Sequence, residues 1–346
     1  MKPKTQTEAP TVRVGPPEGD NTSTLAEIAA VLRGARRVLA FCHVNPDGDA
    51  LGSMLALGWL LRALQPHAGA ETLQITLACA DPVPSKLDFL PGADQITATP
   101  PPGPWDAVVA LDSSDGKRIG SPFRADAYPP APIIVLDHHV TNLHFGTLNY
   151  VDPRAASTSE IVFALADALG ATIRPEAAAC LLAGVVTDTL GFRTSNVTPK
   201  VLTIASRLME LGADLHRITE LTLGNRPLSI MRLWGLALSR LHLEDGILWA
   251  EVTREMREQA GMLDEDDGGL VSHLITAHEA RVAAVFGELN DGTIDLDLRA
   301  TLPYEVASVA LRLGGGGHPQ ASGAHLPGPL ADAEQQVLTL LRAAAR

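Results

Sequence analysis

The sequence predicts an α/β protein in two parts, a parallel-sheet catalytic domain followed by a smaller α+β domain. Three observations carry that prediction. Short apolar runs alternate with helical segments through the first part of the chain, as β-α units require. Two capping-box patterns, Thr24-Leu-Ala-Glu27 and Ser157-Thr-Ser-Glu160, each precede an apolar helical stretch. Late in the chain the pattern changes to alternating strands around Asn290-Asp-Gly292, a hairpin signal.

Taken in order, residues 1–23 are rich in Pro, Thr, Glu and Gly and lack the apolar core of a secretory signal, so a disordered arm is expected. Thr24 then opens a helix carrying Leu25, Ile28, Val31 and Leu32 at helical spacing. Val38–Cys42 reads as a buried strand and Ala50–Leu64 as the helix after it. Further strands are expected at Leu73–Ala80, Ala107–Leu111 and Ile133–Leu136, and Ser157 opens a helix reaching Leu169. Pro175 suits the first turn of the next helix, and Thr198-Pro199 opens one that stops near Gly212. The catalytic domain is thus placed at 24–215, a helical connector at 216–242 and the smaller domain at 243–346. In that last part strands are expected at Arg281–Leu289 and Thr293–Arg299. Helices are expected around 253–261, 267–278, 303–313 and 330–345.

At 346 residues the chain can bury two ordinary cores. Its 46% apolar and 19% charged residues place it with soluble globular proteins, and no apolar run is long enough to span a membrane. Cys42, Cys79 and Cys180 lie in apolar segments without metal or disulfide spacing and read as core residues, which fits a cytoplasmic home. A net charge of −13 argues against broad attachment to long duplex DNA, since such binding relies on Lys and Arg neutralising phosphates. Short nucleic acids remain open, because cations in an acidic cleft can hold phosphate.

The chemistry concentrates where strands end. His43, Asp47 and Asp49 crowd the turn between the first strand and its helix. A helix cap needs one carboxylate; two acids so close would repel and hold each other's protons, a conflict that a divalent cation removes. Asp112 follows the strand Val108–Leu111, Asp137-His138-His139 follows Ile133–Leu136, and Asp188 ends the apolar helix Ala178–Val186. Parallel strands deliver these residues to one sheet edge, where ligands of open α/β sheets bind. Asp and His without thiolate suit Mn, Mg, Fe or Co. The ligands outnumber the needs of one ion, so two ions sharing a carboxylate are expected, the arrangement suited to phosphoester hydrolysis.

Together, His43-x-x-x-Asp47-x-Asp49-Ala-x-Gly-Ser53, Asp112, Asp137-His138-His139 and Asp188 resemble the DHH phosphoesterase superfamily. Gly314-Gly-Gly-Gly-His318-Pro-Gln-Ala-Ser-Gly323 resembles the signature of its DHHA1 subfamily. The likeness spans roughly 24–330 and is nearest to the NrnA-like bifunctional oligoribonucleases and PAP phosphatases. It implies that His43, Asp47 and Asp112 hold one metal, and that Asp49, Asp112, His138 and Asp188 hold the other, with Asp112 bridging. Mn2+ is the expected ion, with Mg2+ or Co2+ as alternatives. Asp137 would orient the histidine pair, and His139 would sit beside the substrate phosphate.

In the second domain one glycine suffices to end a helix, whereas four followed by His318 suggest backbone N–H groups offered to phosphate. Gly315, Gly316, Gly317 and His318, together with Arg299 at the end of its strand, are the expected substrate clamp. Arg193, Ser195 and Asn196, just after Asp188, are further expected contacts. The implied substrates are short oligoribonucleotides, pApA-like dinucleotides and 3′-phosphoadenosine-5′-phosphate. A RecJ-like exonuclease or a pyrophosphatase is the enzymatic alternative, and a nucleotide-binding sensor the non-enzymatic one. A homodimer is compatible with the resemblance.

Overall fold

The computed structural model describes residues 23–64, 73–262 and 267–344. The arm expected over 1–23 lies, apart from Ser23, outside them. The chain divides into two compact units at Leu223/Gly224.

The first unit opens with α1 (Leu25–Gly34), β1 (Arg37–Phe41) and α2 (Gly48–Ala63), followed by β2 (Gln74–Ala78), β3 (Ile96–Thr97), β4 (Ala107–Leu111), β5 (Ile133–Asp137) and β6 (Leu148–Val151). It closes with α3 (Thr158–Leu169), α4 (Pro175–Asp188), α5 (Pro199–Glu210) and α6 (Leu215–Thr219). The Thr24 capping box forms as its sequence predicts, with Thr24 Oγ1 accepting from Glu27 N and Glu27 accepting from Thr24 N. All strand pairs are parallel, in the order β3-β2-β1-β4-β5-β6. The order reverses between β1 and β4, and there the loops leaving adjacent strands part and open a crevice.

Both faces of this sheet are covered, which explains why its strands read as continuous apolar runs. Val38, Ala40, Val109, Leu111, Ile134 and Leu136 pack under the helices, while Leu39, Phe41, Val108, Ala110 and Val135 pack under Phe123, Tyr128 and Phe145 from the connecting loops. α2 and α4 lie nearly backbone to backbone. A Cβ on Gly52 would stand 2.5 Å from Cys180 O, and one on Gly48 the same 2.5 Å from Thr187 Oγ1. Small residues here bring the end of α4 over the start of α2.

The second unit comprises α7 (Leu228–Leu238), β7 (His242–Glu244), β8 (Ile247–Val252), α8 (Arg254–Ala260), α9 (Leu270–Leu274), β9 (Val282–Glu288), β10 (Ile294–Ala300), α10 (Ala307–Arg312), β11 (Gly316–His318), β12 (Ala321–Leu326) and α11 (Leu330–Ala344). Its sheet runs β11-β12-β10-β9-β8-β7 and is antiparallel except for β8 beside β9. The hairpin around Asn290-Asp-Gly292 is present, but the sheet has six strands where the sequence pattern gave two. The expected helices at 267–278 and 303–313 are reduced to α9 and α10.

The helical connector expected over 216–242 is also interrupted. α6 loosens into a π-helical turn at Glu220–Gly224, and Pro227 then caps a separate helix. The reason is local: Gly224-Asn-Arg-Pro227 combines a flexible residue with a ring that disfavours helix before it. No helix among the described residues is long and apolar enough to cross a membrane. Cys42, Cys79 and Cys180 are buried and unbridged.

The α2–α4 contact yields a test. Gly52→Ala is expected to lower stability by about 1–3 kcal/mol in urea unfolding, because its Cβ meets backbone that cannot yield. Gly34→Ala, with open space around it, should be neutral or slightly stabilising.

Candidate metal centre

His43 leaves the end of β1 and Asp47 caps α2, its Oδ1 accepting from Asp49 N and Ala50 N at 3.0 Å each. Asp112 follows β4, the histidine pair follows β5, and Asp188 is the last residue of α4. Five elements thus converge on the crevice between β1 and β4. Asp112 is its centre. Its Oδ2 stands 3.5 Å from His43 Nε2, and its Oδ1 stands 3.6 Å from His138 Nε2 and 3.7 Å from His139 Nδ1. His138 Nε2 is also 3.2 Å from Asp188 Oδ2.

Two ligand sets follow. His43, Asp47 and Asp112 place one donor atom each within 4.8 Å of one another, and Asp49, His138 and Asp188 do the same. Both histidines turn Nε2 to the cluster because Nδ1 is engaged elsewhere, on Val44 O at 2.6 Å for His43 and on Ala155 O at 3.3 Å for His138. A proton on Nδ1 leaves Nε2 as a metal-ligating lone pair.

Without a cation, the charges are poorly balanced. Burial, then the charge of Asp112, pushes the Asp49 carboxyl up to about 7. Burial and the neighbouring carboxylates Asp49, Asp47 and Asp112 raise Asp188 well above the ordinary range. Burial opposes protonation of His43, but its bond to Asp112 and the charges of Asp112 and Asp47 outweigh that and raise it to about 9. Asp112, although burial works the other way, is held below the carboxylate range by the three histidines. Raised proton affinity therefore falls on groups that divalent cations would take as ligands, and the oxygen and nitrogen donor set fits such ions.

The surroundings hold the ligands in place. α3 begins against Asp49, donating Thr158 N to Oδ2 at 2.6 Å and Ser159 N to Oδ1 at 2.9 Å, while Thr158 Oγ1 donates to Asp112 Oδ1 at 3.0 Å. A Cβ on Gly184 would come 2.0 Å from Ser159 Oγ and 2.6 Å from Asp49 Oδ1, so only glycine admits α4 here. Asp137 holds one histidine of the pair by its ring: its Oδ1 accepts from His139 Nδ1 at 2.7 Å but from His138 only through the backbone N–H, at 2.8 Å. Asp112 itself has φ 54°, and Asn45, His144, Leu190 and Phe192 are also left-handed in the loops at this sheet edge. Strained backbone gathers where function does.

Of the other expected contacts, Arg193 is exposed and donates Nε to Leu190 O at 2.8 Å, Ser195 is exposed, and Asn196 donates to Ala156 O at 3.4 Å. In the second unit Arg299 is half-buried on β10, where burial lowers its pKa against the charges of Asp297 and Asp267. The tetraglycine differs from the anion cradle expected of it. Gly314 N and Gly315 N close α10 on Leu311 O and Ala310 O, and a Cβ on Gly315 would meet Gly323 O at 2.0 Å. These two N–H groups are spent on the helix end, and Gly315 is demanded by the approach of β12. Gly316, Gly317 and His318 form β11, and Gly316 has open space around its Cα.

Sequence reading passed over Thr158, Ser159, Gly184 and Asn142. The first two were visible only as a capping box, and Asn142 carried no signal beyond its place three residues after His139.

Comparison with known proteins agrees with this geometry. The family model described as "DHH family, N-terminal domain" matches residues 37–185. The bifunctional oligoribonuclease and PAP phosphatase NrnA of Thermus thermophilus is 36% identical over 325 residues, 92% of each chain. The chain belongs to the DHH family. Among its relatives, the NrnA of Bacillus subtilis, also named a bifunctional oligoribonuclease and PAP phosphatase, is 29% identical over 82% of this chain and 87% of its own. An exopolyphosphatase-related protein from Bacteroides fragilis shares the fold, with TM-score 0.82 and 24% identity over 93% of this chain and 96% of that one. Members of this family are hydrolases of phosphate esters, and so is this chain.

The pKa shifts set the sign of a pH effect. Between the ordinary 3.8 and about 7, folded metal-free chain keeps a proton on Asp49 that the unfolded chain has lost. From 6.5 to about 9, His43 does likewise. Metal-free stability should therefore fall as pH rises through both windows, while divalent cations displace those protons. In thermal unfolding, the rise in Tm caused by Mn2+ should be larger at about pH 8.5 than at about pH 5.5; an increment independent of pH would contradict the cluster's charge state.

Proposed function

We propose that the chain is a two-cation phosphoesterase that cleaves short oligoribonucleotides to mononucleotides and removes the 3′-phosphate of 3′-phosphoadenosine-5′-phosphate. The observation that carries this reading is the pair of ligand sets meeting at Asp112. His43, Asp47 and Asp112 would hold one ion, and Asp49, Asp112, His138 and Asp188 the other, with Mn2+ the expected metal. When bound, such a pair supplies an activated water and neutralises charge on the phosphoryl oxygens.

The chain's own residues do the rest. Asp112 turns one oxygen to the His43 side and the other to the His138 side, the division a bridging carboxylate needs. Asp137 engages His139 at Nδ1 and, with Asp112, favours the protonated ring, whose Nε2–H can meet a phosphate oxygen or pass its proton to the leaving group. Arg299, with its planar set of donors, and the Gly316–His318 strand are offered as contacts to the nucleotide. Arg193, Ser195 and Asn196 stand near Asp188 in sequence as further contacts. The names of the Thermus and Bacillus relatives support the choice of substrates.

The deciding experiment is Mn2+-dependent hydrolysis of an RNA ladder, from dinucleotide to long single strand, with 3′-phosphoadenosine-5′-phosphate and pyrophosphate alongside. Turnover should be fastest on the shortest RNAs and on the bisphosphate, and should fade with length. Activity that rises with length would move the chain to processive exonucleases, and preference for pyrophosphate to pyrophosphatases. Asp112→Asn, which keeps a side chain tolerant of left-handed backbone, should lower kcat by about a thousandfold, with the unfolding midpoint of the metal-free protein retained or raised.

A further inference from the structure

Asn142 lies on the loop after β5 and ligates nothing in the reading above, yet each of its polar atoms is used. Its Nδ2 donates to Asp137 Oδ2 at 2.6 Å and to Ser113 O at 3.2 Å, and its Oδ1 accepts from His144 N at 2.7 Å. Only one orientation of the amide satisfies these partners, two acceptors on the nitrogen side and one donor on the oxygen side. Leu143 N adds a bond to Ser114 O at 2.8 Å, so the loop is fastened to the segment that follows Asp112.

What Asn142 grips is the carboxylate that holds His139. Asp137 is fully buried. With its Oδ1 committed to His138 N and His139 Nδ1, Asn142 is the side chain that holds its Oδ2. Remove that donor and the buried oxygen loses its partner, which favours rotation of the carboxylate away from the imidazole. We infer that Asn142 is a positioning residue for His139, acting through Asp137 to hold its Nδ1–H and to aim the imidazole. The same amide ties this relay to the backbone just beyond Asp112, so His139 and the central carboxylate are set by one side chain.

This inference rests on the phosphoesterase reading for its kinetic consequence but not for its structural one. Asn142→Ala should lower kcat on a 5′-phosphorylated diadenylate by about ten- to a hundredfold, while KM and the Mn2+ concentration that half-saturates the thermal shift stay within about twofold. In a His139→Ala background the same substitution should cause no further loss, since the relay then has nothing to aim. Independently of turnover, the Nδ1-bound proton of His139 should be resolved in 1H–15N spectra of the Mg2+-loaded protein, identified by its absence in His139→Ala, and lost or exchange-broadened in Asn142→Ala. Asn142→Leu keeps the volume while removing the donor, so it must show the same loss even if the alanine variant fails to fold. An equal fall in kcat with and without His139, a fall in Mn2+ affinity, or an imidazole proton unchanged in the variants would overturn the inference. If the wild-type chain cleaves no nucleotide, the functional reading fails, and the imidazole signal alone decides the role of Asn142.

Discussion

Crowded negative charge governs the first unit. Asp47, Asp49, Asp112 and Asp188 meet three histidines at one sheet edge, and with Asp49 and Asp112 buried such a group must be neutralised. Without cations the proton affinities of Asp49, Asp188 and the three histidines are all raised. Much of the surrounding structure keeps these groups together against their repulsion. The start of α3 donates two backbone N–H groups to Asp49, and the adjacent threonine hydroxyl donates to Asp112. Backbone donors cannot swing away, so Asp49 stays aimed whether or not an ion is present.

The second requirement is proximity of backbones. Asp188 reaches the cluster because α4 passes α2 at glycine-limited distance, through Gly48, Gly52 and Gly184. Gly48 and Gly52 belong to the segment that bears Asp47 and Asp49. The motif therefore serves two ends, its acids facing the crevice and its glycines facing the neighbouring helix. A feature that reads as chemistry in one dimension is half packing in three.

That doubling explains what was legible beforehand. The parallel sheet, the order of the first helices and the convergence of His43, Asp47, Asp49, Asp112, His138 and Asp188 follow from apolar strands and the residues placed after them, because strand ends are addresses that a linear pattern preserves. The supporting residues were not legible. Thr158 acts across 46 positions on a partner that nothing in its own neighbourhood announces, and Asn142, though five residues from Asp137, is not of a type that marks a metal site. The second unit was read less completely for a different reason. β11 and β12 are glycine-containing strands, and the tetraglycine read as N–H groups offered to phosphate, whereas two of those groups finish α10 and Gly315 admits the neighbouring strand. Strands held mainly by backbone pairing leave little alternation to detect.

The left-handed backbone at Asp112 also shapes how this protein can change over generations. Few residues accept that conformation without strain: aspartate, asparagine and glycine foremost. A single base substitution turns an aspartate codon into either of the other two, and both delete the central charge while leaving the chain free to fold. Glutamate, which would preserve the charge, suits neither the backbone nor the spacing. The route from an active enzyme to an inert descendant is therefore one step long, and it is a step that selection for folding alone would not oppose.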